Sequence, residues 1–319
     1  MSNTTYGTDG LIATTLKHYI KTLEDNIFTS QVLLWILKTA GRVVNIQGGT
    51  HIVQPLLYAG ANNKGSYSGA DTFTTEANTG ISAAEFPWRQ YYGLFSIEGI
   101  ERAKNQGAPA IIRLLEARLK QLEMTISEEM EAMLFGDGSG NAQKDFYGLG
   151  AIIDSSNPAW GNFGGIDRSV AANAYWKATE TAVDTVMTLA HMSTLYNDVS
   201  NGKDQPTNML TTQTLYEKYE GLVQANLRHE QTKMGDAGFQ NLMFKGAPLA
   251  FSDNVTSGEL LAINIKYITL NTLSGVWFKP SELAQPTNQD VFYKHLLCYG
   301  NLVASNCKRQ GKATGLTAA

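Results

Sequence analysis

The stretch that decides the fold is residues 48–92, which read GGTHIVQPLLYAGANNKGSYSGADTFTTEANTGISAAEFPWRQYY. β-Favouring side chains occupy both ends, around Ile52 and Phe86. Between them lies the Gly-, Asn-, Ser- and Thr-rich segment 60–82, which has little apolar material to bury. Compact domains rarely tolerate a structureless loop of this length. We therefore expect the two ends to pair as a long β-ribbon that leaves the body of the protein.

A proline on each arm limits where this ribbon can lie. Pro55 and Pro87 have no backbone N–H to donate to a central sheet, which predicts a free-standing edge ribbon with nothing of its own to anchor it. A two-stranded ribbon alone is only marginally stable in water. The sequence therefore predicts that the ribbon lies on another copy of the chain, and self-assembly is the leading functional hypothesis.

The composition excludes several classes of protein. A chain of 319 residues, 43% of them hydrophobic, fits one large or two modest globular domains. A formal charge of −4 argues against a dedicated nucleic-acid-binding protein, which would carry a basic domain. The only cysteines, Cys298 and Cys307, exclude a disulfide scaffold and predict reduced thiols in a cytoplasmic setting. We find neither a signal peptide nor an apolar run of membrane-spanning length, so no membrane contact is expected.

The strongest helix signal covers about residues 109–135, from Pro109 to the glycine that follows Phe135. Apolar residues recur there at intervals of three and four, which places them on one stripe of a helix: Ile111, Leu115, Leu119, Leu122, Ile126, Met130 and Met133. The charged residues are expected on the solvated faces: Arg113, Glu116, Arg118, Lys120, Glu123, Glu128 and Glu131. A shorter helix is predicted from about residue 25 to residue 40, with Gly41 ending it.

The rest of the chain alternates helix and strand signals, which gives an α+β fold class. Helices are predicted over about 176–196 and from Thr211 or Thr212 to about 227. Strands are predicted over 94–98, 206–210, 247–251, 263–267, 275–278 and 290–304.

Motifs for catalysis and for metal binding are incomplete. His229-Glu230 begins a zinc-protease helix, but Lys233 occupies the position of the second histidine. Asp137 to Asn141 resembles the start of a calcium loop, but Gly148 stands where a glutamate is required. The five histidines show no ligand spacing: His18, His51, His191, His229 and His295. We therefore expect a protein that is not an enzyme, with no cofactor and no catalytic, cofactor-binding or metal-binding residue. The alternative is an enzyme with a flexible lid, which would need a convergent cluster of acid, base or metal-binding residues.

The order of these segments resembles the major capsid protein of tailed bacteriophages, which has the Hong Kong 97-type fold. The residues that carry the resemblance are Gly48-Gly49, Phe86-Pro87-Trp88, Asn105-Gln106-Gly107, Leu134 to Gly138, Tyr147-Gly148-Leu149, Gly164 to Arg168, Trp176 and Gly246-Ala247-Pro248. The resemblance implies an N-terminal arm (1–47), an extended β-hairpin loop or E-loop (48–92), a peripheral domain with a spine helix at about 109–135 (93–146 and 288–319) and an axial domain (147–287).

The same resemblance implies a structural, non-enzymatic protein of the virion. It would self-assemble through pentamers and hexamers into an icosahedral shell around double-stranded DNA, in the cytoplasm of a bacterial host. Its implied partners are copies of itself, a portal protein, separate scaffolding or decoration proteins where they are used, and the packaged DNA in non-specific contact. Some relatives crosslink a loop lysine to a neighbour, and Lys64 is the only lysine of the ribbon. The alternative implied by the same fold is the shell of a cellular encapsulin-type nanocompartment.

Overall fold

A computed structural model describes residues 31–73, 75–77, 79–104, 108–154, 162–223 and 242–319. The helices are α1 (Val32–Thr39), α2 (Gly99–Lys104), α3 (Ala108–Phe135), α4 (Leu149–Ile153), α5 (Leu189–Val199) and α6 (Gln213–Leu222), with short 3-10 turns at Ala171–Trp176, Ile265–Tyr267 and Cys307–Arg309. The strands are β1 (Val43–Ile46), β2 (His51–Leu57), β3 (Ile81–Pro87), β4 (Arg89–Glu98), β5 (Asn162–Phe163), β6 (Ile166–Asp167), β7 (Thr179–Ala182), β8 (Asn208–Thr211), β9 (Leu242–Phe244), β10 (Ala247–Phe251), β11 (Leu260–Ile263), β12 (Ile268–Leu273), β13 (Lys279–Pro280), β14 (Val291–Ala304) and β15 (Gly311–Thr314).

Two large sheets organise these elements. The five-stranded sheet is built on the long strand β14, which pairs with β4 along one edge and with β12 and β13 along the other; β1 adds to β12. The six-stranded sheet has the order β7-β15-β11-β8-β10-β9. Strands β2 and β3 form a separate two-stranded ribbon. The α+β class predicted from the sequence is therefore confirmed.

The long helix α3 confirms the helix predicted over about 109–135. It packs closely on β4, because Gly93 has no side chain to keep it away. A Cβ atom at Gly93 would lie 2.7 Å from Leu122 Cδ1 and 2.5 Å from Ile126 Cδ1. Ile126, Met130 and Leu134 are buried along the predicted apolar stripe. The expectation for Glu131 is wrong, because its side chain is buried rather than solvated.

Several predicted elements in the second half of the chain need correction. The helix predicted over 176–196 is instead strand β7 followed by α5, which begins where Thr188 accepts a hydrogen bond from the His191 N–H. The strand predicted over 263–267 stops at Ile263, because the Asn264 side chain accepts from the Lys266 N–H and starts a 3-10 turn. Residues 275–278 form a turn with positive φ at Gly275 and Phe278.

Other predictions for this half hold. Strands β10 and β14 occupy the segments predicted over 247–251 and 290–304, and β8 covers most of 206–210. Helix α6 begins after Thr212, as predicted, and ends at Leu222, while residues 224–227 lie outside the described part of the chain. Helix α1 matches the C-terminal part of the helix predicted over 25–40. Residues 25–30 lie outside the described part of the chain. Gly41 has a φ of +66°, which explains why α1 stops there.

The buried side chains form two hydrophobic cores that meet at the six-stranded sheet. The first core joins α1, the ribbon, α3 and the five-stranded sheet. The second lies under α5 and α6. Strand residues alternate between the two cores, as Met209 and Leu260 face the second while Leu210 and Leu261 face the first. The sheet therefore acts as a common wall.

Candidate assembly interface

The ribbon is a regular antiparallel pair, as predicted. Its register runs from His51 opposite Pro87 to Leu57 opposite Ile81. The ladder continues one step further, where the Tyr58 N–H donates to the Gly80 carbonyl at 3.0 Å. Neither strand belongs to a larger sheet of the described chain, which is the context that a proline-bearing strand requires.

The prediction that the ribbon has nothing of its own to anchor it is wrong. Its inner face carries Ile52, Leu56, Ala84 and Phe86, which are all buried in the first core. The Phe86 ring meets the Phe163 ring edge to face at 5.1 Å between centroids. The root of the ribbon therefore packs firmly on the body of the same chain.

A backbone contact reinforces this anchor. The Glu85 N–H donates to the Gly164 carbonyl at 2.9 Å. Gly164 has a φ of +61°, and a Cβ atom there would lie 2.9 Å from Ala84 Cβ and 3.0 Å from Phe86 Cζ. Glycine is therefore required at this turn both for its conformation and for the close approach of the ribbon.

The outer face of the ribbon is also apolar, but nothing in the described chain covers it. Leu57 is 80% exposed, Ile81 78% and Val53 55%. Beyond the paired strands, Tyr67 and Phe73 pack edge to face at 5.1 Å and are both exposed. We call residues 59–79 the tip of the ribbon. Exposed apolar side chains on the outer face, together with two exposed aromatic residues on the tip, are typical of a site for protein contact.

Lys64 lies on this tip and is exposed. Its backbone N–H donates to the Asn62 carbonyl at 2.9 Å, which places it in a local turn. Next to it, the Asn63 side chain donates to the Glu76 carbonyl and ties the two arms of the tip together. Lys64 is therefore an exposed residue in a local turn of the tip.

A groove of about 450 Å³ opens at the root of the ribbon, where β3 passes into β4. Tyr92 is exposed on its wall, as is Leu94 further along the same face of β4. The groove has an aromatic and cationic lining without an acidic residue: Trp88, Arg89, Gln90, Tyr91, Tyr92, Lys144, Leu297 and Tyr299. It is therefore a second surface suited to an amphipathic partner.

Arg89 forms the rigid end of this groove. Its guanidinium donates to the Tyr147 hydroxyl at 3.3 Å and to the Gln143 carbonyl, and it lies 5.0 Å from the centre of the Tyr147 ring. The Gln143 carbonyl is available because residues 141–143 turn with positive φ. Burial raises the pKa of Tyr91 in the same wall, and the negative charges of Glu129 and Asp145 add to that effect.

The residues tested for catalysis have structural roles where the structure describes them. The Asp137 carboxylate accepts from the Ser139 N–H and hydroxyl, so it closes the turn after α3. Among the described residues, no group of three His, Cys, Asp or Glu side chains could hold a metal ion. His18, His229, Glu230 and Lys233 lie outside the described ranges.

None of the helices in the described part of the chain is both long enough and apolar enough to cross a membrane.

Both thiols are buried, so we expect them to be unreactive in the folded protein. Burial raises the pKa of Cys298 to about 11 and that of Cys307 to about 12. At pH 8 the lower thiolate fraction should slow alkylation by about 100-fold or more relative to an exposed cysteine, before any steric protection. Timed labelling with iodoacetamide, followed by mass spectrometry, measures this. Two thiols that label within minutes in the native protein, at the rate seen in denaturant, would contradict it.

These elements together define an α+β fold: an anchored ribbon with an exposed tip, a long helix across one sheet, and a second α/β unit. More specifically, the chain has the Hong Kong 97-type capsid fold. Neither a scan against protein-family models nor a sequence search of curated proteins finds a match.

Solved structures that match over nearly the full chain are capsid and encapsulin shells. The cyanophage A-1(L) capsid matches with a TM-score of 0.69 at 14% identity, covering 95% of this chain and 97% of that one. The holo-SrpI encapsulin complex of Synechococcus elongatus matches with a TM-score of 0.62 at 11% identity over 97% and 96%. The capsid of an empty GTA particle also reaches 0.62, at 11% identity over 94% and 95%.

Proposed function

We propose that this chain is the major capsid protein of a tailed bacteriophage, which assembles into an icosahedral head shell around double-stranded DNA. The observation that carries the proposal is the ribbon, which has apolar residues on both faces, while the described part of its own chain covers only one of them. The uncovered face gains stability from burial against another copy. The full-length likeness to phage capsids supports the same conclusion.

The finer features follow from this proposal. Residues 1–47 serve as the arm, 48–92 as the E-loop, 93–146 with 288–319 as the peripheral domain and 147–287 as the axial domain. The subunit has no catalytic activity, acts in the virion after assembly in the host cytoplasm, and meets a portal protein, packaged DNA and any scaffolding or decoration protein. Lys64 is the tip residue available for a covalent link between subunits.

The groove at the root of the ribbon is the best candidate for the surface that receives a neighbour's tip. Six residue steps separate His51 from Leu57, so the tip begins about 20 Å from the root and does not fill its own groove. The exposed aromatics Tyr67 and Phe73 match the aromatic lining, and the exposed acids of the tip, Asp71 and Glu76, complement the cationic groove residues. Such a head-to-tail contact forms a ring when the rotation from one subunit to the next closes.

A disulfide between chains tests this contact. We expect Phe73→Cys on one chain to crosslink with Leu297→Cys on another when the two variants are mixed, assembled and oxidised. The native thiols do not interfere, because both are buried. Non-reducing gel electrophoresis and peptide mapping measure the product, with Phe73→Cys and the exposed Asp253→Cys as the control pair. Shells that form without the Phe73–Leu297 crosslink would reject this contact and leave the shell function intact.

An encapsulin-type compartment is the second candidate, because the holo-SrpI encapsulin has the same fold. The two functions differ in what the shell encloses. Electron microscopy of the protein expressed alone should show closed, uniform particles under either proposal. Particles recovered from their natural source should contain nuclease-protected DNA if the chain is a phage capsid protein and a protein cargo if it is an encapsulin. A protein that stays monomeric at high concentration under all assembly conditions would reject both.

A further inference from the structure

Glu131 is a carboxylate buried between two helices. Its side chain is 1% exposed, although it belongs to α3, whose other acidic residues in the described part reach solvent. Its Oε1 accepts a hydrogen bond from the Leu33 N–H at 2.6 Å, and its Oε2 accepts from the Leu34 N–H at 2.9 Å. These N–H groups belong to the first turn of α1, which has no partner for them within its own helix. One side chain of α3 therefore caps α1.

This cap replaces the local one that a helix normally has. Gln31 stands at the N-cap position of α1, and its side chain makes no capping hydrogen bond. Helix α1 also has no acidic residue in its first turn. The free N–H groups at the start of α1 consequently find their acceptor on α3, nearly 100 residues further along the chain. Loss of that carboxylate would leave buried donors without partners, which is costly.

Burial and hydrogen bonding shift the pKa of this carboxyl group in opposite directions. Burial raises the pKa of Glu131 to about 7, and the N–H groups of Leu33, Leu34 and Val32 only partly offset that rise. The shift has no contribution from Lys38 of α1, from Glu128 or Glu129 of α3, or from Asp154 after α4. Among the described residues, no cation compensates the buried charge, so its protonation state matters for the contact between the helices.

We propose that Glu131 is a proton-controlled latch, whose protonated carboxyl group holds α1 on α3 and whose ionisation loosens α1. The carboxyl group prefers to be protonated when α1 is docked and ionises readily once α1 has left and water reaches it. Docking of α1 is therefore strongest at a pH below the pKa of a free glutamate. It weakens as the pH rises from there through the pKa of the docked carboxyl group. The latch belongs to the single subunit and does not depend on the shell function.

Hydrogen exchange at the start of α1 tests the latch in the full chain. With a pKa of about 7 when docked and 4.5 when released, protection of the Leu33 and Leu34 amides should fall about ten-fold between pH 6 and pH 8, after correction for the intrinsic exchange rate. Amide exchange read by mass spectrometry or NMR at several pH values gives the profile.

The matched variants separate the latch from a structural cap. Glu131→Gln keeps the shape and one acceptor oxygen but cannot ionise, so its protection profile should be flat over this range. Glu123→Gln changes an exposed acid on the same helix and should retain the wild-type fall. A wild-type profile that varies by less than two-fold, or a Glu131→Gln profile that falls like the wild type, would overturn the proposal. If the variant does not fold, the wild-type profile alone decides.

Discussion

Replacing residues 59–79 with the dipeptide Asn-Gly should give a folded subunit that no longer closes into shells. Tyr58 and Gly80 already form a hydrogen-bonded step of the ladder, so a two-residue turn can join them without disturbing the strands. The inner face of the ribbon stays on the body of the chain, because all of its buried residues lie outside the deleted segment. What disappears is the exposed tip with Tyr67 and Phe73.

The expected readouts are an unchanged far-UV circular dichroism spectrum and thermal midpoint, together with a loss of closed particles in electron microscopy. Because each subunit of a closed shell makes the contact at once, we expect particle yield to fall at least about ten-fold. The double variant Tyr67→Ser with Phe73→Ser keeps the length of the ribbon and isolates the aromatic contribution. Normal shells from the shortened chain would show that the tip has no part in assembly.

Leu134→Asp should prevent the chain from folding. Leu134 is fully buried on α3, in the core that joins α1, the ribbon and the five-stranded sheet. The substitution removes a packed side chain and places a charge where no partner is available. We expect a loss of about 5 kcal/mol or more, which equals the whole free energy of unfolding of many domains.

Two control variants on the same helix separate the effect of burying a charge from the effects of substitution at this site and of charge alone. Leu134→Met keeps the volume of the buried side chain and should cost less than about 1.5 kcal/mol. Lys120→Asp introduces the same charge at an exposed site and should change stability by about 0.5 kcal/mol at most. Urea unfolding followed by circular dichroism measures all three variants. Soluble Leu134→Asp protein with a wild-type unfolding midpoint would mean that this core does not determine the fold.

The sequence alone was sufficient for the features that depend on local chemistry. The ribbon follows from two β-favouring ends, each with a proline, around a polar segment. Helices α3 and α6 follow from apolar residues at intervals of three and four. Strand β12 was missed because it buries the polar residues Asn271 and Thr272, while Ile265-Lys266-Tyr267 beside it resembles a strand locally.

The contacts that define the candidate interface could not be predicted in this way. The ribbon rests on Phe163 and Gly164, about 80 residues beyond its own inner face, and nothing near either segment indicates the other. Glu131 has the composition of a solvated helix position, and only the docking of α1 reveals its role. The groove combines residues of β4, β14 and the turn after α3, which become neighbours only in the folded chain.

The six-stranded sheet, with successive residues facing different cores, has a consequence for how this protein can evolve. At Met209 and Leu210, or at Leu260 to Ile263, every substitution must suit one of two separately filled interiors, and neighbouring positions cannot compensate for each other across the backbone. Sequence drift is therefore expected to be slowest in these strands. The described residues of the tip belong to neither core. On the proposed contact, the tip can therefore diverge together with the surface that receives it, which would allow related lineages to stop co-assembling while they keep the same subunit architecture.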